Sequence, residues 1–153
     1  MAFDSSIFEE YTKWTLNAFM EEDWRAYHHI LEWLDSDPGT NIILISSKVE
    51  KAFSSGLNLK AALGLMEGKD DWTFEKKKFM YKHIKDFQDA IAMPARMRTP
   101  TIALLNGVSY GLALDIASAC TIRLAVEGVK MSIREIKIGI VADMGSLQRM
   151  TKT

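Results

Sequence analysis

Two short, continuous apolar runs, each reached from an amphipathic helical stretch, constrain the fold of this chain more than any other feature. The first is Asn41–Ser47, reading NIILISS, and the second is Thr101–Leu105, reading TIALL. Neither alternates apolar with polar residues, so each reads as a strand covered on both faces, the usual state of parallel strands in α/β proteins. The stretch before the first run, Asn17 to Asp35, places Met20, Trp24, Tyr27, Leu31 and Leu34 at helical spacing. Glu21, Glu22, Arg25 and His29 fall between them. Asp35-Ser-Asp-Pro38-Gly39 ends that helix with turn chemistry. Lys48 to Asn58 reads as a loop. A second helix is predicted from Phe74 to Ile91, with Met80, Ile84, Phe87 and Ile91 on one face, and Pro94 and Pro100 bracket the break after it. Beyond the second run, a helix is predicted from Leu112 to Ala119, a third strand over Thr121–Val126, and a short one over Lys130–Ile133. Helices alternating with apolar strands argue for an α/β fold built from crossover connections.

The chain has 153 residues, which fits one domain spanning 1–153. Its net charge of −1 gives no basic field to hold nucleic acid or an acidic membrane surface. No stretch approaches the roughly 20 apolar residues of a membrane span. The first residues, MAFDSSIFEEYTK, have neither the apolar run of a secretory leader nor the acid-poor, arginine-rich character of a mitochondrial one. The final RMTKT is not a peroxisomal address of the Ser-Lys-Leu type. No targeting signal is therefore visible, which leaves a cytoplasmic location open. One cysteine, Cys120, excludes an internal disulfide and reads as a buried structural thiol.

Two glycine-containing turns follow apolar segments. Phe53-Ser-Ser-Gly56-Leu57-Asn58-Leu59 comes soon after the first strand. Asn106-Gly107-Val-Ser-Tyr-Gly111-Leu112-Ala113 joins the second strand to a helix. Open α/β sheets bind ligands in the crevice beyond the carboxyl ends of their strands. Two backbone N–H groups aimed into such a crevice, one of them at a helix start, form an oxyanion hole. On the residues alone, ordinary turns are the more usual explanation of both segments.

The motifs in series resemble the crotonase (enoyl-CoA hydratase/isomerase) superfamily. Lys51–Leu59 (KAFSSGLNL) is similar to its first oxyanion loop. Pro100–Gly111 (PTIALLNGVSYG) is similar to its second. Asn17-Ala-Phe-Met20 resembles the Asn-Ala start of its first long helix, and Ile138–Arg149 (IGIVADMGSLQR) resembles its Gly…Gly-x-x-Gln-Arg stretch. The resemblance implies a (ββα)-repeat spiral core. It implies that the N–H groups of Leu57 and Leu112 hold the thioester oxygen of an acyl-CoA. Ser55, Gly56, Leu57, Asn58 and Leu59, with Leu112, would bind the substrate and its CoA moiety. It implies no metal and no redox cofactor, coenzyme A being part of the substrate. Family members continue beyond the position of Thr153 into helices that complete the acyl pocket and build trimers or hexamers. The resemblance therefore implies a partial, C-terminally truncated domain without the helical trimerisation region. The second oxyanion turn departs from the family's Gly-Gly-Gly. Here Leu112 stands in the middle, a position that strains leucine if the backbone needs a positive φ.

Asp115, Glu135 and Asp143 are the candidate catalytic residues. Asp115 lies among Leu114, Ile116 and Ala117; Glu135 follows a short strand; Asp143 is flanked by Ile140, Val141, Ala142 and Met144. Carboxylates in poorly hydrated surroundings have raised pKa values and exchange protons near neutral pH. Local capping and ion pairing, such as Glu135 with Arg134 or Lys137, is the structural alternative. The resemblance sharpens the reading. Δ3,5-Δ2,4-dienoyl-CoA isomerases carry Asp, Glu and Asp at these three positions, whereas hydratases are expected to have a non-acidic residue at the third. It implies Glu135 as the base at C2, Asp143 as the acid at C6, and Asp115 orienting Glu135. A 2-enoyl-CoA hydratase and a catalytically inactive acyl-CoA-binding subunit stay open as alternatives, and mitochondrion or peroxisome are the compartments the family suggests. His28, His29 and His83 read as surface or solvated residues. Lys76–Lys78 reads as a solvated helix face, and Trp14, Trp24, Trp33 and Trp72 as packing residues.

Overall fold

The computed structural model describes residues 16–64, 73–139 and 141–151. The elements in order are α1 (Glu21–Ser36), β1 (Ile43–Ile45), β2 (Ala52–Ser54), α2 (Leu59–Gly64), α3 (Phe74–Ile91), β3 (Thr101–Leu105) and β4 (Val108–Tyr110). Then come α4 (Leu112–Ala119), β5 (Ile122–Ala125), β6 (Lys130–Ser132) and α5 (Ser146–Arg149). Short 3-10 turns cover Met93–Ala95 and Glu135–Ile138. The strands form two three-stranded parallel sheets, β1-β3-β5 and β2-β4-β6. Each pass of the chain thus leaves one strand in each sheet, and the helices carry it back.

The expected strands at 41–47, 101–105 and 121–126 are the outer sheet. In β3, Thr101, Ala103 and Leu105 face the core while Ile102 and Leu104 are half-covered. The prediction of full coverage on both faces does not hold. Leu44, Ile122 and Leu124 share the outward face of this sheet, in register with Ile102 and Leu104, and are 57%, 48% and 53% exposed.

The inner sheet is where structure and expectation differ most. Ala52–Ser54 lies in the segment read as a loop, and Val108–Tyr110 in the segment read as a turn. β2 and β4 are three residues each and lie beside turn residues, which leaves them too little pattern to register, whereas β6 falls within the short strand expected over Lys130–Ile133. β4 is bounded by Gly107 and Gly111, both at φ +53. A Cβ at Gly107 would collide with the Lys51 carbonyl, so only glycine lets β4 approach β2 there. The ladder runs through Phe53 N–H to Asn106 O (2.8 Å), Val108 N–H to Lys51 O (3.0 Å) and Gly111 N–H to Ser132 O (3.0 Å).

The first helix begins at Glu21, not at Asn17. Asn17 has φ +61, and Phe19 is bridged to Leu57 instead. The Met20 N–H donates to the Asp23 carboxylate at 2.7 Å, which fixes the helix start. α1 packs on α3 through Trp24 and Phe87, whose ring centres lie 5.1 Å apart. Trp24, Phe53, Phe87, Ile91, Leu105, Leu112 and Ile116 join in one core. Every residue of α4 is buried, and its alanines at 113, 117 and 119 let both sheets and α3 close on it.

Two minor expectations need correction. Trp33 is 69% exposed rather than packed. His83 is largely covered, edge-on to Trp24 and stacked against Phe79, because it sits on the α3 face that meets α1. His28 and His29 pair with Glu32, Lys76–Lys78 are exposed, and the Cys120 thiol is buried, donating to Ile116 O. Trp14 and Trp72 lie outside the described residues.

Candidate active site

The first oxyanion loop is held from the N-terminal side. Phe19 N–H donates to Gly56 O and Asn58 N–H to Phe19 O, both at 2.8 Å. Asn17 Nδ2 donates to Phe53 O at 2.9 Å and to Ser47 Oγ at 3.2 Å. The asparagine at 17 thus braces the loop rather than opening a helix. This ladder leaves out the N–H of Leu57. The N–H of Leu112 stands at the first position of α4, where no intrahelical acceptor exists.

The two loops approach closely. Gly56 has φ +101, and a Cβ there would lie 2.8 Å from Tyr110 O and 3.6 Å from Leu112 N. The positive φ of the second turn falls on Gly111, and among the described residues Leu16 and Asn17 are the non-glycines with positive φ. Leu112 is therefore unstrained, contrary to the expectation for a family glycine. Its side chain is 3% exposed and packs in the core.

A cavity of about 350 Å³ opens where these loops meet. Ser55, Gly56, Leu57, Leu59 and Leu112 line it, as do Asp115, Glu135 and Asp143. Asn58 does not. Its side chain accepts the Ala61 N–H at 3.3 Å and caps α2. Phe87, Tyr110, Arg134, Lys137 and Met144 are also in the wall, though the sequence assigns none of them a role in the site. Arg134 lies over the Tyr110 ring, 4.1 Å from its centre. A charged residue next to Glu135 reads in sequence as an ion-pair partner, which hides the stacking.

The three carboxylates occupy different surroundings. Asp115 is 1% exposed, and burial raises its pKa from 3.8 to about 6. Hydrogen bonds from Ser146 oppose that rise, and the nearby Glu135 charge adds to it. Glu135 begins the 3-10 turn after β6. Its Oε2 is buried with no hydrogen-bond partner among the described residues, and its Oε1 would lie 2.9 Å from any Cβ at Gly111. Glycine at 111 thus serves twice, by adopting φ +53 and by leaving room for this carboxylate. Asp143 is exposed at the open side of the cavity, against the expectation of an apolar enclosure, because its turn lies over the end of α3. There the Gln88 amide donates to its carbonyl at 3.1 Å.

The sequence profile of the enoyl-CoA hydratase/isomerase family matches residues 12–153. The chain belongs to that family. A mitochondrial Δ(3,5)-Δ(2,4)-dienoyl-CoA isomerase of Dictyostelium discoideum is 29% identical over 137 residues, covering 89% of this chain and 46% of the relative. A peroxisomal counterpart from Arabidopsis thaliana is 31% identical over 137 residues, covering 88% of this chain and 49% of its own. The crystal structure of an enoyl-CoA hydratase from Bacillus anthracis superposes with a TM-score of 0.71 at 22% identity, covering 88% of this chain and 48% of that one. The chain spans a little under half the length of these relatives, and the superposition establishes the crotonase-like fold.

Within the enoyl-CoA hydratase/isomerase fold, the Gly-Ser-Leu-Gln-Arg stretch acts as a clamp. Gly145 has φ +107, and a Cβ there would collide with the Arg149 guanidinium. Arg149 donates to Ser118 Oγ (2.9 Å), Asp115 O (3.1 Å) and Met144 O (2.9 Å). One side chain thus ties α5 to α4 directly behind the cavity.

Proposed function

We propose that this chain carries the proton-transfer site of a Δ3,5-Δ2,4-dienoyl-CoA isomerase. The observation that carries the reading is that Glu135 and Asp143, on separate segments, line one cavity together with Leu57 and Leu112. A 3,5-dienoyl thioester is acidic at C2 because the enolate oxygen can be held by two N–H donors. Glu135 takes a C2 proton, and the C–H electron pair becomes the C2=C3 bond. The C3=C4 pair moves to C4=C5, and the C5=C6 pair takes a proton from Asp143 at C6. C2 and C6 are too far apart for one carboxylate, which is why two are required. An unpartnered buried oxygen on Glu135 suits a base, because no hydrogen bond has to break before it accepts the proton. Asp115 lines the same cavity and would orient Glu135 from behind.

The relatives' names supply a mitochondrial or peroxisomal setting for the same role. The experiment is to incubate the purified chain with 3,5-dienoyl-CoA and follow the ultraviolet band of the conjugated 2,4-diene. The band should grow with enzyme concentration. Hydration of a 2-enoyl-CoA without diene formation would favour a hydratase, with Asp115 and Glu135 activating water. Binding without either reaction would favour a non-catalytic acyl-CoA-binding subunit.

A further inference from the structure

Asp143 stands in a turn whose far end is fixed by Arg149 on the Met144 carbonyl. Its near side meets α3 at Gln88. The Gln88 Nε2 donates to the Asp143 carbonyl at 3.1 Å and reaches the carboxylate Oδ2 at 3.5 Å. Lys85, one turn earlier on α3, donates its Nζ to Gln88 Oε1 at 3.2 Å. That contact fixes the orientation of the amide. With its oxygen turned to a cation, its NH2 end faces the aspartate; the flipped amide would set oxygen against oxygen and nitrogen against ammonium. The neighbouring Phe87 lines the cavity, so α3 carries both a wall of the pocket and the contact to its acid.

We propose that Gln88 is a positioning residue for Asp143, an inference that rests on the isomerase reading above. The amide holds the turn through the main chain and occupies the Oδ2 edge of the carboxylate. The proton bound for C6 is thereby left to Oδ1. A carboxyl group whose turn was free to swing would present either oxygen, at a variable distance from C6. Positional errors of this size have large kinetic consequences, and a displacement of about 1 Å can cost on the order of 100-fold in rate. Arg134 is engaged over the Tyr110 ring, and Lys85 is bonded to Gln88.

The test compares wild type with Gln88→Met, which keeps the length of the side chain and removes the donor, and with Gln88→Ala. Two rates are measured in heavy water with 3,5-dienoyl-CoA: formation of the conjugated diene, and exchange of the C2 hydrogens. Exchange needs Glu135 and the N–H donors only. Both variants should form diene about 10- to 100-fold more slowly, with C2 exchange and KM unchanged. In an Asp143→Asn background, Gln88→Met should have no further effect on diene formation, because residues acting through one another are not additive. Equal loss of both rates would show a merely structural role and overturn the proposal, as would undiminished diene formation in both variants. Absence of diene formation in wild type would instead overturn the isomerase reading itself, and this role with it.

Discussion

The backbone N–H of Ser146 donates to Asp115 Oδ1 at 2.8 Å, joining residues 31 positions apart inside the core. This bond fixes a carboxylate where burial resists its charge, and the pKa of about 6 records the imbalance. The folded pKa lies above the unfolded value, so the group favours the folded state most at low pH. Stability should fall as pH rises from about 4 through about 6. A rise from 3.8 to about 6 corresponds to roughly 3 kcal/mol. Asp115→Asn keeps an acceptor for Ser146 without the charge. Its urea midpoint should match wild type at pH 4 and exceed it at pH 7.5, and equal midpoints at both pH values would contradict this account.

Asp143→Asn and Glu135→Gln should separate two proton transfers. Each should lower diene formation by about 100- to 10,000-fold, the usual contribution of a placed acid or base. Ligand dissociation constants should stay near wild type. Only Glu135→Gln should also abolish C2 hydrogen exchange. Retained turnover in Asp143→Asn would remove the main ground for an isomerase.

Leu112 and Gly111 are expected to fail in different ways. Leu112→Ala truncates a core side chain and should cost about 2–5 kcal/mol of stability, with the rate per folded molecule little changed, since the N–H remains. Gly111→Ala forces a Cβ to 2.9 Å from Glu135 Oε1 at a positive φ. Its kcat should fall well below that of Leu112→Ala, even at temperatures where both remain folded by circular dichroism.

The outward face of the outer sheet, with Leu44, Ile122 and Leu124 exposed, should drive self-association. Sedimentation should show species larger than one chain, and Leu44→Lys combined with Leu124→Lys should shift them to monomer. A wild type that sediments as a monomer would count against this.

The sequence made the long elements legible because their signal is repetitive. Leu112–Ala119 and Phe74–Ile91 coincide with their expected spans, and Thr101–Leu105 does so to the residue. Leu57, Leu112, Asp115, Glu135 and Asp143, which the resemblance rather than the pattern points to, line one cavity in the structure. What escaped was set by tertiary contact. The inner strands β2 and β4 are three residues long, and the approach of β4 depends on Gly107 and Gly111. Asn17 looked like a helix start because its role, bonding Phe53 O, depends on a loop far along the chain. Leu112 escapes the strain a positive φ would impose because Gly111 carries that conformation. Gln88 was invisible because a polar residue on an amphipathic helix is ordinary until a distant turn is folded against it.

All six strands pair in parallel, which makes the order of assembly during synthesis uneven. Among the described residues no hairpin is available to nucleate either sheet, and parallel partners must close long intervening loops. As the chain leaves the ribosome, β1 and β2 wait without partners until β3 and β4 follow much later. The Leu57 half of the crevice thus emerges early, and the Leu112 half can meet it only after that closure. Closure of the crevice is therefore a late folding step. In the interval the apolar runs around Ile43 and Phe53 are what a nascent-chain chaperone would encounter.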